Sequence, residues 1–474
     1  MATLIEQHPL YDTLPVGQDV IFTVSNTSVV SSFTNVKFIA EVHISSGNPP
    51  NPNTSTDIVG TFKTTPNNAG VGMFDFRPII ESFVNTDNLA RVGSAYKLAV
   101  NTVGTNVPIH LIDKYSGNLN SMRYLFIRFK IQYLDNDPAS ATFGDLIITD
   151  IIDSNSYKVF NGYLKYTDVL NIDATGNFGY DLSNFNVGTG STKRMLTNAP
   201  TTQYANLEDY GTLAFFQVND LVDEIQLAYY NSSGGSLGGE DVTLDIANGA
   251  FASLGTLTEN RLLYFGCFPA NLRNWSTTFN ALVTAGTIQG GYITVQANNN
   301  TLGLQSEKYT INLNCPNLKG YESIRLCWLN QWGDWDYYTF TMKSTKMIST
   351  KGSTYQQLEG SWNESTYKIN GFKGGKKAFR VNANEKITMN TDFVNESESE
   401  WFEELINSPE VYILEGFQSD LNYTGTLTIP AMNQYVTPAR LTTSSYTKKT
   451  VANDKLMQYT FEVEKSKTLR TQSV

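Results

Sequence analysis

The stretch Arg325-Leu326-Cys327-Trp328-Leu329-Asn330-Gln331-Trp332-Gly333-Asp334-Trp335-Asp336-Tyr337-Tyr338-Thr339-Phe340 reads as two strands joined by a turn. The turn falls at residues 330–333, because Asn and Gly tolerate the positive φ of tight hairpins. Side chains alternate along the second strand. Asp334, Asp336 and Tyr338 point one way, and Trp335, Tyr337 and Thr339 point the other.

Working outward, the same period-two alternation recurs at residues 19–24, 35–44, 122–134, 224–230, 308–313, 323–329, 335–342 and 455–463. Asn, Gly, Pro and Asp separate these runs. Tyr and Phe number 26 each, and residues of that kind, with Thr and Val, fit a pleated, half-buried surface. The pattern predicts an all-β chain of several β-sandwich modules with one or two short helices.

Helical signals are few. Residues 77–84 carry Pro78 near a first turn, with Asp75 as a cap. Residues 396–407 give the clearest helix. Asn395 is the expected N-cap and Glu398 its reciprocal partner. Glu396, Glu398 and Glu400 place negative charge at the positive end of the helix dipole. Trp401, Phe402, Leu405 and Ile406 form one apolar stripe. Ser408-Pro409 stops the helix, since the residue before proline avoids the α region. A strand over 410–414 follows.

At 474 residues the chain exceeds a single core, and three segments emerge. Residues 1–170 form an N-terminal sandwich region with a long Ser/Asn/Pro loop at 45–56, too polar to help a core. Residues 171–315 form a Gly- and Asn-rich middle β domain. Residues 316–474 form a C-terminal β domain with one helix. That last segment holds Trp328, Trp332, Trp335, Trp362 and Trp401, while Trp275 lies in the middle one.

Charged residues are only 17% of the chain, below the about 25% of ordinary domains, and Asn, Thr, Ser, Gly and Tyr take their place. Such a surface suits a protein that works against other protein surfaces. The net charge of −11 opposes binding to phosphate backbones. Lys373, Lys376 and Lys377 cluster locally and read as a solvated turn. Cys267, Cys315 and Cys327 form no CxxC pair and are odd in number, so buried free thiols are expected, with a Cys315–Cys327 bridge the alternative. The chain reads as folded in a reducing cytoplasm. Residues 1–7 lack the charge and apolar run of a signal peptide, and no window approaches the 18 apolar residues of a membrane helix.

Chemistry is hard to assemble from these residues. Asp334 and Asp336, an i, i+2 pair on one strand, have the spacing of a glycosidase carboxylate pair. The simpler reading makes Trp328 and Trp335 core and has the two Asp organise the turn or face solvent. His8, His43 and His110 show no ligand spacing, and no nucleophile elbow is present. Gly70-Val71-Gly72-Met73-Phe74-Asp75 lacks the third glycine and the βαβ context of a dinucleotide loop. No catalytic residue, cofactor or metal is expected. The Trp and Tyr content leaves sugar stacking on exposed rings as a further possibility.

Several strings together resemble a group of tail-associated virion proteins of tailed phages that infect marine and Bacteroidetes bacteria. They are residues 62–75 (FKTTPNNAGVGMFD), Leu196-Thr197-Asn198-Ala199-Pro200 with Asp209-Tyr210-Gly211-Thr212-Leu213, Leu329-Asn330-Gln331-Trp332-Gly333-Asp334-Trp335-Asp336, residues 401–405 with Ser408-Pro409-Glu410-Val411-Tyr412, and Asp454-Lys455-Leu456-Met457-Gln458-Tyr459. The third fits a Leu-Asn-x-x-Gly-x-Trp-Asp pattern and is the most specific. The resemblance implies a virion location and brings no catalytic residues. The expectation is a non-enzymatic structural subunit of a bacteriophage virion, in a tail, collar or tail-hub ring. It would be homo-oligomeric and contact copies of itself and other virion proteins, with no nucleic acid and no membrane insertion. The alternative is a tail fibre or spike that binds a host receptor or polysaccharide, with glycan hydrolysis through Asp334 and Asp336. Free sheet edges and the 45–56 loop are the expected contact surfaces.

Overall fold

Strand Glu224–Tyr230 buries Ile225, Leu227 and Tyr229 and turns the residues between them outward, as a sheet with one covered face requires. Strand Ile324–Leu329 behaves differently, with Ile324 to Trp328 all buried in succession. Such a run places a strand between two covered layers. These two patterns organise the five sheets found among the described residues. The computed structural model describes residues 2–46, 58–90, 107–168, 182–217, 221–244, 261–314, 320–361, 364–417, 435–448 and 457–470.

The first two sheets form a sandwich. Strands Leu4–Gln7, Ile21–Ser25 and Val71–Asp75 make a three-stranded antiparallel sheet. It faces a six-stranded sheet centred on Thr34–Ser45 and Met122–Leu134. Ile58–Thr64 flanks Thr34–Ser45, while Tyr157–Phe160 and Leu146–Asp153 share the far side of Met122–Leu134. Thr13–Pro15 closes the sheet by pairing parallel to Tyr157–Phe160. Phe22, Val24, Phe38, Val42, Ile127 and Phe129 meet in one core.

The third sheet orders strands Asn186–Val187, Thr212–Gln217, Arg261–Gly266 and Tyr115–Gly117. Tyr115–Gly117 belongs in sequence to the first segment, so this sheet ties it to the middle one. The fourth sheet orders Thr202–Ala205, Tyr309–Leu313, Tyr292–Asn299, Glu224–Tyr230 and Ser236–Thr243, with Gly303–Leu304 paired to Tyr292–Asn299. Leu213, Phe215, Leu263, Ile293 and Val295 share a large core with Cys327, Trp335 and Tyr337 of the fifth sheet.

The fifth sheet has seven strands, in the order Trp335–Phe340, Ile324–Leu329, Val411–Leu414, Val436–Leu441, Thr460–Lys465, Gly375–Asn390 and Ser344–Gln357. Its other face packs Leu326, Trp328, Phe340, Ile387 and Phe461 with Trp401, Phe402 and Leu405 of helix Glu396–Asn407. The apolar stripe of that helix is therefore its docking face. Its N-terminus carries the full capping box: Asn395 accepts from the Glu398 N–H, and Glu398 accepts from the Asn395 N–H.

The all-β architecture expected from the alternation holds, with corrections in detail. The helix at Arg77 ends at Ile80, shorter than expected. Asp75 accepts from the Arg77 N–H, although Phe76 occupies the cap position. Helices Thr27–Ser32, Pro269–Trp275 and Thr277–Thr284 carry weak periodic signals and were not expected. Lys376 and Lys377 lie in strand Gly375–Asn390, paired with Gln356 and Tyr355, instead of in a turn. Cys267 and Cys327 are buried free thiols. Cys315, Trp362, residues 47–56 of the long loop, and the segment boundaries near 170 and 315 lie outside the described residues.

Candidate functional site

The turn in the opening stretch is held by Asn330. Its Oδ1 accepts the N–H groups of Trp332 and Asp334, and its Nδ2 donates to Leu196 O and to Asp336. Gly333 has φ +76°, and a Cβ there would lie 1.8 Å from the carbonyl oxygen of Asn161. Only glycine fits that close approach. Neither of the two carboxylates faces solvent, because both are buried.

Asp336 accepts from Thr197 Oγ1 at 2.6 Å, Asn330 Nδ2 at 3.0 Å and Trp401 Nε1 at 2.5 Å. It thereby ties a loop, a turn and a helix to one strand. Asp334 accepts from the Ala214 N–H at 3.0 Å, in the strand that also holds Thr212, the partner of Tyr337. The expected shared face thus holds for Asp336 and Tyr338, which both meet Trp401, and not for Asp334. Alternation starts at Trp335, and Asp334 is still part of the turn. Burial pushes Asp336 up to about 7, with the neighbouring Glu404 charge adding to it, and pushes Asp334 well above the carboxylate range. A glycosidic bond has no approach to either group.

A second buried constellation was not legible in sequence. His110 Nδ1 lies 2.9 Å from the Tyr337 hydroxyl, and its Nε2 lies 3.7 Å from Cys327 Sγ. A Cys–His pair invites a nucleophilic reading. Here burial drives the histidine down to about 3 and the thiol upward. Burial thus disfavours the thiolate–imidazolium form that nucleophilic chemistry needs. Arg325 lies nearby, donating to Tyr210 O and Thr339 Oγ1 and stacking over Phe268. Asp87 accepts from the N–H groups of Leu119 and Asn120 and the hydroxyls of Ser121 and Tyr264.

A cleft of about 550 Å³ opens beside the turn at Asn330. Gly17, Tyr163, Lys165, Gln331, Glu404 and Pro409 line it, among others. Glu404 is buried at its wall. It accepts from Asn198 Nδ2 at 2.5 Å and meets Lys165 Nζ at 3.5 Å. Burial raises its affinity for a proton. The cleft offers amides, one ammonium, carboxylates and a Tyr163 ring that is mostly exposed. Trp328, Trp332, Trp335 and Trp401 are all core, so no exposed tryptophan row exists among the described residues. No group of His, Cys, Asp and Glu able to hold a metal occurs among them either.

The most unusual surface lies elsewhere. Strands Ser344–Gln357 and Gly375–Asn390 pair with each other over fourteen positions. The second pairs with Thr460–Lys465 only at Lys386–Asn390. Apart from one bridge between Ala383 and Leu469, the rest is a two-stranded ribbon, and its ten remaining pairs at about 3.3 Å each span about 33 Å. Its side chains are exposed on both faces, including Met347, Ile348, Phe379 and Val381. At its tip Ile369 is 73% and Phe372 79% exposed. No protein-family model matches the chain, and no curated protein matches it.

Proposed function

We propose that this chain is a structural subunit of a bacteriophage virion, in a tail, collar or tail-hub ring, that assembles through contacts with copies of itself and other virion proteins. One observation carries the reading. Among the described residues, the ribbon puts nothing beyond its base, Ile387 and Met389, into any core. An isolated two-stranded hairpin is marginal in water, and exposed apolar groups of this kind mark contact surfaces. A ribbon so built makes sense when a neighbouring chain covers it. The low charge agrees with that role, as does the resemblance of several strings to those of tail-associated virion proteins.

The test is a shortened ribbon. Residues 352–381 are removed and Lys351 is joined to Asn382, its cross-strand partner, through an Asn-Gly turn. The isolated protein should melt as the parent does, because no core residue is lost. Incorporation into particles should fail. Normal particles carrying the shortened chain, or purified virions without the parent chain, would overturn the reading.

The cleft beside Glu404 favours a second reading, a receptor- or polysaccharide-binding protein of the same particle. Its volume lies in the range of ligand sites. A glycan array with the purified chain and a Tyr163→Ala control tests it, and binding unchanged by that substitution would move the site elsewhere.

A further inference from the structure

We propose that the ribbon of one copy adds, strand to strand, to the open edge of Leu146–Asp153 in a second copy. The inference rests on the assembly reading and deepens it by naming the partner surface. Leu146–Asp153 pairs with Met122–Leu134 on one side and, among the described residues, with nothing on the other. Ser344–Gln357 likewise pairs only with Gly375–Asn390. Each strand therefore presents a row of backbone N–H and C=O groups that another strand can satisfy.

Both surfaces are apolar where they are open. Leu146, Ile148 and Ile151 are exposed on the edge strand, with Phe143 in the loop before it. Ile148 and Leu146 stand opposite Gln132 and Leu134 on the outer face, while Ile152 packs into the core beneath. The outer row is therefore free to meet Met347, Ile348, Phe379 and Val381 of a ribbon.

Charge selects the pairing. Residues 344–390 hold eight Lys or Arg against three Glu, a net of +5, in a chain whose total is −11. The other residues therefore carry −16. Residues 131–157 hold five Asp and no Lys, Arg, His or Glu, a net of −5. Lys351, Lys376, Lys377 and Arg380 are exposed and make no ion pair among the described residues. Asp137 and Asp145 are exposed across from them on the proposed partner. Opposite patches of this kind steer encounter and fix register. Because ribbon and edge are different surfaces, the contact is head-to-tail, which closes rings when the rotation allows.

The experiment uses the full chain in sedimentation velocity, with circular dichroism to confirm folding. The parent should self-associate, less tightly as salt rises. Lys351→Glu, Lys376→Glu and Lys377→Glu together should weaken association by at least about tenfold. Adding Asp137→Lys and Asp145→Lys to that variant should restore most of it. Recovery of this kind has no explanation in lost folding, because all five side chains are exposed. Association that ignores the ribbon charges, a monomeric parent, or a combined variant no tighter than the triple one would overturn the inference. In each of those cases the chain's presence in particles, measured separately, still decides the assembly reading.

Discussion

The indole N–H of Trp401 donates to Asp336 at 2.5 Å, joining helix Glu396–Asn407 to strand Trp335–Phe340 through a buried carboxylate. The ring of Trp401 also packs against Trp328 at 4.9 Å between centroids. One residue thus supplies both the apolar and the polar part of the helix docking.

Trp401→Ala should lose that packing and leave Asp336 short of a donor, at about 3–5 kcal/mol. Trp401→Phe keeps most of the ring and drops only the N–H, so about 1–3 kcal/mol is expected. Urea titrations of the two variants check the order. Equal costs would remove the hydrogen bond from the account.

Stability should fall as pH rises from about 5 to 8, against the opposing contribution of His110, whose neutral native imidazole favours higher pH up to about 6.5. Burial holds the proton affinities of Asp336, Asp334, Glu404 and Asp87 above their ordinary values. The native state therefore keeps protons that the unfolded chain releases above about pH 4. The stabilisation is complete below that pH and is lost as pH passes the native value, about 7 for Asp336. Asp336→Asn should flatten the slope in melts at several pH values. It should also cost about 1–3 kcal/mol near pH 5, because an amide places an N–H against one of three donors.

Gly333→Ala should destabilise by more than the about 1–2 kcal/mol of a left-handed residue alone. The new Cβ meets a backbone oxygen that cannot swing aside. A melting temperature within a degree or two of the parent's would show that the 161–163 segment moves away freely.

Asn395→Ala removes the acceptor for the Glu398 N–H and half of the capping box. A loss of about 1 kcal/mol is expected. Asn395→Asp should restore it, since a carboxylate accepts the same bond and favours the helix N-terminus. Failure of that rescue would mean that the end of the helix is held by docking alone.

Elements whose signals are local were legible from the residues alone. Met122–Leu134 and Glu224–Tyr230 follow from alternation, and Glu396–Asn407 from its cap, its stripe and Pro409, because each depends on neighbours within a turn or a strand. The sequence also placed the turn at Asn330–Gly333, since Asn and Gly there carry a backbone requirement. The short helices at Thr27–Ser32, Pro269–Trp275 and Thr277–Thr284 escaped it, being too brief for a 3.6-residue period to show. What the carboxylates do depends on contacts distant in the chain. Alternation put Asp334 and Asp336 on one face, with the turn or solvent as their surroundings, but the fifth sheet is covered on both sides, and their partners come from Ala214, Thr197 and Trp401, between 65 and 139 residues away. The exposed ribbon likewise follows from the whole fold. Ser344–Gln357 and Gly375–Asn390 are polar, weakly alternating strands, and whether such strands lie on a body or project from it depends on which edges the rest of the chain leaves open.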